Sequence, residues 1–320
     1  MRLTRHCAVV ALLMLALDVP AQVARMEILS FPSMTLTDQV FLGGGKEGKA
    51  VTLTGSLRLP RPGSDRLPLV ILVHGSGGIS GYVTDWEQEF NEMGVATFVI
   101  DSWTGRGITT VIFDQSLPGG RLTQLYDVYR AMDALEKHPR VDPSRIAVMG
   151  FSRGGQASLY SSVKRFHRMH GPASGREFAA YIALYPTCVP FRDDEEVFAK
   201  PIRIHHGSDD NYVPVKWCRA YAQRLKAKGA DVVHTEYAGA HHVYDWKALS
   251  KPTRIEKGQT TRNCELGEGP DNRVMNTKSG QPFIYSDPCV EYGVTIAYDE
   301  KGSVATRKAV KELVTTVLKP

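Results

Sequence analysis

Ile146-Ala147-Val148-Met149-Gly150-Phe151-Ser152-Arg153-Gly154 is a short apolar run that ends in a glycine-flanked serine. The run Ile146–Met149 reads as a buried strand, and a helix-like stretch follows directly. In that position a G-x-S-x-G pentapeptide builds a sharp strand-to-helix turn. The glycines leave room where a Cβ would clash, and the turn lifts the serine oxygen above the sheet. The helix that follows aims its N-terminal amides at the site, which favours negative charge there. Alone the pentapeptide recurs by chance. Between a strand and a helix it marks Ser152 as a nucleophile.

A serine hydroxyl attacks poorly until a base takes its proton, and the base needs an orienting carboxylate. On this kind of elbow the partners follow in the order Ser, Asp or Glu, His, at the ends of later strands. His205-His206-Gly207-Ser208-Asp209-Asp210 follows the strand-like Ile202–Ile204, and Gly239-Ala240-His241-His242 follows Val232–Glu236. Each segment offers two candidates, Asp209 or Asp210 and His241 or His242, and spacing alone does not choose. Acyl transfer also needs donors for the oxyanion. After Leu69–Val73 stands His74-Gly75-Ser76-Gly77-Gly78, so the amides of Ser76 (or its neighbour Gly77) and Arg153 are the expected pair.

Outward from the elbow the chain alternates strand and helix patterns. Ala96–Ile100 and Ala180–Leu184 complete the apolar runs, while Leu122–Lys137, Val215–Lys228 and the stretch around Val310–Leu318 repeat at helical spacing. This alternation predicts an α/β fold, a mostly parallel sheet with helices on both faces. Two strand-like stretches within Met26–Arg58 predict an antiparallel N-terminal edge. Lys251–Tyr292 breaks the rhythm: it is polar and rich in Gly, Pro and Asn. It reads as a closed excursion before the last helix, within a single domain over 22–320, rather than a second domain.

The chain has 320 residues, 42% hydrophobic and 23% charged, so it can bury a large core and is not disordered. Its net charge of +5 comes from 39 Lys+Arg against 34 Asp+Glu, a modest excess spread along the chain. That does not call for nucleic acid or an acidic membrane surface as partner. Residues 1–21 have a basic start, an apolar run from Cys7 to Leu17 and small residues around Ala21, the pattern of a cleaved signal peptide. A periplasmic or secreted location is therefore expected. The remaining cysteines are Cys188, Cys218, Cys264 and Cys289. An even number in an exported chain predicts two disulfides. Cys264 and Cys289 would close the polar excursion, and Cys188 and Cys218, each shortly after a strand, would meet at one sheet end.

With these motifs the chain resembles the dienelactone hydrolase family of α/β-hydrolases, from about Leu69 onward. The family's G-x-x-D-x-x-V-P pattern falls on Gly207–Pro214 and selects Asp210. Its Y-P-G-A-x-H-x-F-D pattern falls on Tyr237–Asp245, with Ala238 for Pro and Tyr244 for Phe, and selects His242. The namesake enzymes use a cysteine where this chain has Ser152. The resemblance implies an α/β-hydrolase fold and hydrolysis of a small-molecule ester or lactone without a cofactor. It also likens Asp101–Gly107 to a loop that carries an arginine near the substrate carboxylate, which nominates Arg106, with Trp103 beside it in the cleft.

Other functions on the same residues are a peptidase or amidase, a polymer or polysaccharide esterase, and a catalytically silent binding protein. A metal site is not expected, because the His205-His206 and His241-His242 pairs lack ligand spacing and neighbours on a strand end point to opposite sides. Asp193-Asp194-Glu195-Glu196 reads as a solvated loop.

Overall fold

The computed structural model describes residues 25–320, so the signal-peptide reading of residues 1–21 lies outside the described residues. Strands β1 (Arg25–Thr35) and β2 (Lys49–Leu59) flank the short helix α1 (Asp38–Leu42) and form the antiparallel edge expected there. Next come β3 (Leu67–Val73), α2 (Gly81–Glu92), β4 (Ala96–Asp101), α3 (Thr123–Leu135) and β5 (Val141–Phe151). Helices α4 (Arg153–Tyr160) and α5 (Lys164–His170) lead to β6 (Tyr181–Leu184), β7 (Ile202–Gly207), α6 (Lys216–Ala227) and β8 (Val232–Tyr237). The sheet order is β1-β2-β4-β3-β5-β6-β7-β8, parallel from β4 to β8. This is an α/β-hydrolase fold.

Alternation along each strand divides the core in two. Leu69, Ile71 and Val73 of β3 face a cluster built with α3, α4, α5 and α6. Val70 and Leu72 face the other layer, closed by α2 and by α7 (Glu300–Leu318) through Val310, Val314 and Leu318. The parallel strands carry their loops to one end of the sheet, where a site forms outside their carboxyl ends.

The segment 251–292 is not structureless. It contributes β9 (Thr253–Thr260), β10 (Leu266–Glu268), β11 (Val274–Asn276) and β12 (Gln281–Pro282), and β13 (Glu291–Ile296) returns against β9. β10, β11 and β12 make a small antiparallel meander. The excursion lies across the carboxyl end of the main sheet. The Thr260 hydroxyl donates to the Tyr212 carbonyl (2.7 Å), and the Arg262 guanidinium donates to the Asn211 carbonyl (3.0 Å). Glu268 accepts a two-pronged ion pair from Arg165 of α5 at 2.6 and 2.7 Å. Both expected disulfides form, Cys188–Cys218 and Cys264–Cys289, each with Cα atoms 5.0 Å apart. No helix among the described residues is long and apolar enough to cross a membrane.

The acidic run after β6 departs from the solvated loop expected. Asp194 is buried, accepting from the Phe191 amide (2.9 Å) and from Arg224 of α6 (3.0 Å). A helix that packs over the loop supplies the charge that makes this burial tolerable.

Candidate active site

Ser152 sits between β5 and α4 with φ 53° and ψ −114°, a strained conformation for a residue with a side chain. Its flanking glycines allow the turn. A Cβ on Gly150 would lie 2.0 Å from the Gly154 carbonyl oxygen, and one on Gly154 would lie 2.1 Å from that of Val73. The backbone amide of Ser152 donates to the Leu184 carbonyl (2.9 Å), tying the elbow to β6.

The loops after β7 and β8 bring Asp210 and His242 to this serine. His242 Nε2 lies 2.9 Å from Ser152 Oγ, and Nδ1 lies 2.6 Å from Asp210 Oδ2. The second carboxylate oxygen of Asp210 accepts the amides of Tyr212 (2.9 Å) and Val213 (2.8 Å). Burial alone would push this carboxyl up. The charges and hydrogen bonds of His242 and His206 outweigh it and hold Asp210 well below the ordinary carboxylate range. An ionised Asp210 accepts a hydrogen bond from Nδ1–H, which fixes the tautomer and presents the Nε2 lone pair to the serine hydroxyl. The His242 ring is held between Tyr185 (centroids 4.7 Å) and Tyr212 (4.9 Å). Neither twin takes part in this relay: Asp209 accepts from the Ser208 hydroxyl, and half-buried His241 turns to the Asp209 carbonyl.

The loop after β3 approaches Ser152 closely, since a Cβ on Gly75 would lie 3.2 Å from Ser152 Cβ. Buried His74 organises it. The Ser102 amide donates to His74 Nε2 (3.2 Å), so Nδ1 carries the proton and donates to the Gly75 carbonyl (2.8 Å). Burial lowers the pKa of His74 and keeps the ring neutral. The amides of Ser76 and Arg153 have no hydrogen-bond partner among the described residues, which leaves both able to serve an oxyanion.

A pocket opens above Ser152, walled by Ser76, Gln115, Tyr212, Trp217 and, from the excursion, Gln259 and Thr261. Two guanidinium groups reach it. Arg121 donates only to hydroxyls: Tyr285 (2.8 Å), Thr187 (3.2 Å) and Thr261 (3.3 Å). The side chain of Arg153 donates to the carbonyls of Gln115 (3.1 Å) and Gly120 (2.6 Å). Burial pushes Arg153 down to about 10, so it stays charged at neutral pH. Neither arginine is ion-paired among the described residues. Arg121 carries no motif; its only sequence signal is the turn cluster Pro118-Gly119-Gly120 ahead of α3.

Arg106 and Trp103 are placed otherwise than the resemblance implied. The Arg106 guanidinium lies outside the pocket, buried in a two-pronged pair with Asp127 of α3 (2.8 Å to each oxygen). Asp127 also accepts the Ser33 hydroxyl (2.6 Å), so the arginine staples β1 to α3. Trp103 is 1% exposed and packs edge-on against His74 (centroids 5.0 Å). Both side chains turn inward because the loop after β4 winds into a 3₁₀ turn at Thr104–Arg106.

Comparison with known proteins agrees with the fold. Over 91% of this chain and 98% of the other, the structure resembles a dienelactone hydrolase-like promiscuous phosphotriesterase from metagenomic libraries (17% identity, TM-score 0.59). It also resembles a dienelactone hydrolase described as putative from Klebsiella pneumoniae (13% identity, 90% and 99% coverage, TM-score 0.57). In sequence, 138 residues are 25% identical to acyl-protein thioesterase 1 of Gibberella zeae, spanning 43% of this chain and 57% of that protein. The model of the dienelactone hydrolase family matches residues 57–254, which hold the elbow and both partner loops. The chain belongs to the dienelactone hydrolase family.

Proposed function

We propose that the protein is an exported serine hydrolase that cleaves carboxylic esters or lactones bearing an acidic group, through a covalent acyl-enzyme. The observation that carries this reading is the Ser152–His242–Asp210 relay at 2.9 and 2.6 Å beneath a pocket. Ser152 Oγ attacks the ester carbonyl as His242 Nε2 takes its proton. The oxyanion accepts from the amides of Ser76 and Arg153. His242 then returns the proton to the leaving alcohol, and water repeats the sequence to release the acid. Arg121 and Arg153, neither in a direct ion pair among the described residues, supply positive charge for an acidic substrate group, with buried Asp38 the nearby carboxyl that tempers it. Two disulfides support an oxidising compartment.

The test is labelling with a fluorophosphonate together with ester turnover. Ser152→Ala should lose the label and lower kcat by several orders of magnitude, on the order of 10⁶ in the subtilisin case, with circular dichroism unchanged. Retained turnover would end the assignment.

A further inference from the structure

A second pocket adjoins the first, and Arg121, Val189 and Leu266 line both. The excursion supplies most of its apolar wall, including Phe283 and Tyr285, whose rings meet edge-on at 5.0 Å. On its inner side lies Gln156 of α4, 1% exposed, with neither its amide nitrogen nor its amide oxygen bonded to any group. Such an amide costs free energy on both atoms unless something arrives to meet them. The residue is one helical turn beyond Ser152, and the Gln156 amide nitrogen of the main chain donates to the Ser152 carbonyl (2.9 Å). One turn advances roughly 6 Å, about the span of a phenyl ring with its para substituent.

We infer that this pocket binds an aromatic ring of the substrate, carrying a substituent that both donates and accepts a hydrogen bond, such as a phenol or a carboxamide. Phe283 and Tyr285 face the ring, and the Gln156 carboxamide recognises the substituent: Oε1 accepts and Nε2 donates. A carboxylate would leave Oε1 unmet, and an alkyl group would leave both unmet. Arg121 lines both pockets, but Asp38 lines the second as well and disfavours a carboxylate there, so acidic groups belong in the first pocket beside Arg121 and Arg153. The inference rests on the ester-cleaving reading for its placement on the substrate, and the experiment separates the two.

The experiment measures kcat/KM for esters of equal size ending in cyclohexyl, phenyl, 4-hydroxyphenyl or 4-carbamoylphenyl, with the ring on the acyl or the alcohol side. The full-length mature protein should prefer the substituted rings over cyclohexyl by about tenfold, the scale of one to two satisfied hydrogen bonds. Gln156→Leu should abolish the advantage of substituted over plain phenyl, and Phe283→Ala should reduce the advantage of phenyl over cyclohexyl. Preference on either side of the ester supports the pocket and shows which half occupies it. Equal rates across the series, or ratios unchanged in both variants, would overturn it. If no ester is cleaved, the hydrolase reading fails, and binding decides alone. Saturation-transfer NMR with 4-hydroxybenzamide should then show contact that Gln156→Leu removes, and its absence in the unaltered protein refutes the pocket.

Discussion

Two neighbouring histidines and two neighbouring aspartates differ at the residue scale only in where their backbones point them. His242→Ala and Asp210→Asn should lower kcat by several orders of magnitude, whereas His241→Ala and Asp209→Ala should leave it within a few-fold, measured on one small ester. The arginines divide in the same way. Replacing Arg121 with Gln should raise KM for a carboxylate-bearing ester by about 1.5–3 kcal/mol, the scale of a charged hydrogen bond, and spare a neutral ester of equal size. Arg106→Ala should instead treat both esters alike and lower stability by about 3–5 kcal/mol, because Asp127 is left buried and unpaired. Thermal melts and paired-substrate kinetics distinguish the two arginines.

At the scale of elements, the excursion is a built wall rather than a loose insertion. It supplies Gln259, Thr261, Cys264 and Leu266 to the first pocket and grips the backbone carbonyls of Asn211 and Tyr212 just after Asp210. Its far side is anchored by Glu268, whose side chain is 1% exposed between Arg165 and Arg192. Glu268→Gln should therefore speed amide exchange in 251–292 while the central strands keep their protection, and uniform loosening of both would refute the local anchor. The disulfides close loops of 30 and 25 residues, each worth about 3.5 kcal/mol in the chain-entropy model. Replacing Cys264 and Cys289 together by serine should cut kcat/KM at temperatures where the core still melts cooperatively.

Over the whole molecule, stability should depend on pH through histidines buried behind the site. Burial is the main cause that pushes His205 down to about 3 and His234 to about 4. The unfolded chain protonates both near 6.5, so between that pH and their folded values the unfolded state binds more protons. Their contribution to stability is therefore complete above about 6.5 and is lost as pH falls toward 4 and then 3. Denaturant midpoints between pH 7 and 4 should fall steadily, and His234→Gln should flatten the slope. A slope unchanged in that variant would remove His234 from the effect.

How much was legible follows from the range of the interactions involved. The elbow, the order of strands and helices and the antiparallel edge depend on local periodicity and on glycine at positions where a Cβ cannot fit, so the chain determined them by itself. The disulfide pairing was also within reach, because each bridge closes a short separation. Choosing Asp210 and His242 over their twins needed the family patterns, since adjacent loop residues have no periodicity that says which faces the serine. Arg106, Trp103 and Asp194 escaped because their partners lie on other elements: Asp127 on α3, His74 after β3, Arg224 on α6. Arg121 became a pocket residue only when the excursion folded Thr261 and Tyr285 against it. The sequence by itself determined the elbow that carries Ser152 and the sheet that presents it; only the tertiary structure decided which positive charges face the pocket, because an arginine is paired or left without a direct ion pair according to the carboxylates that packing places beside it.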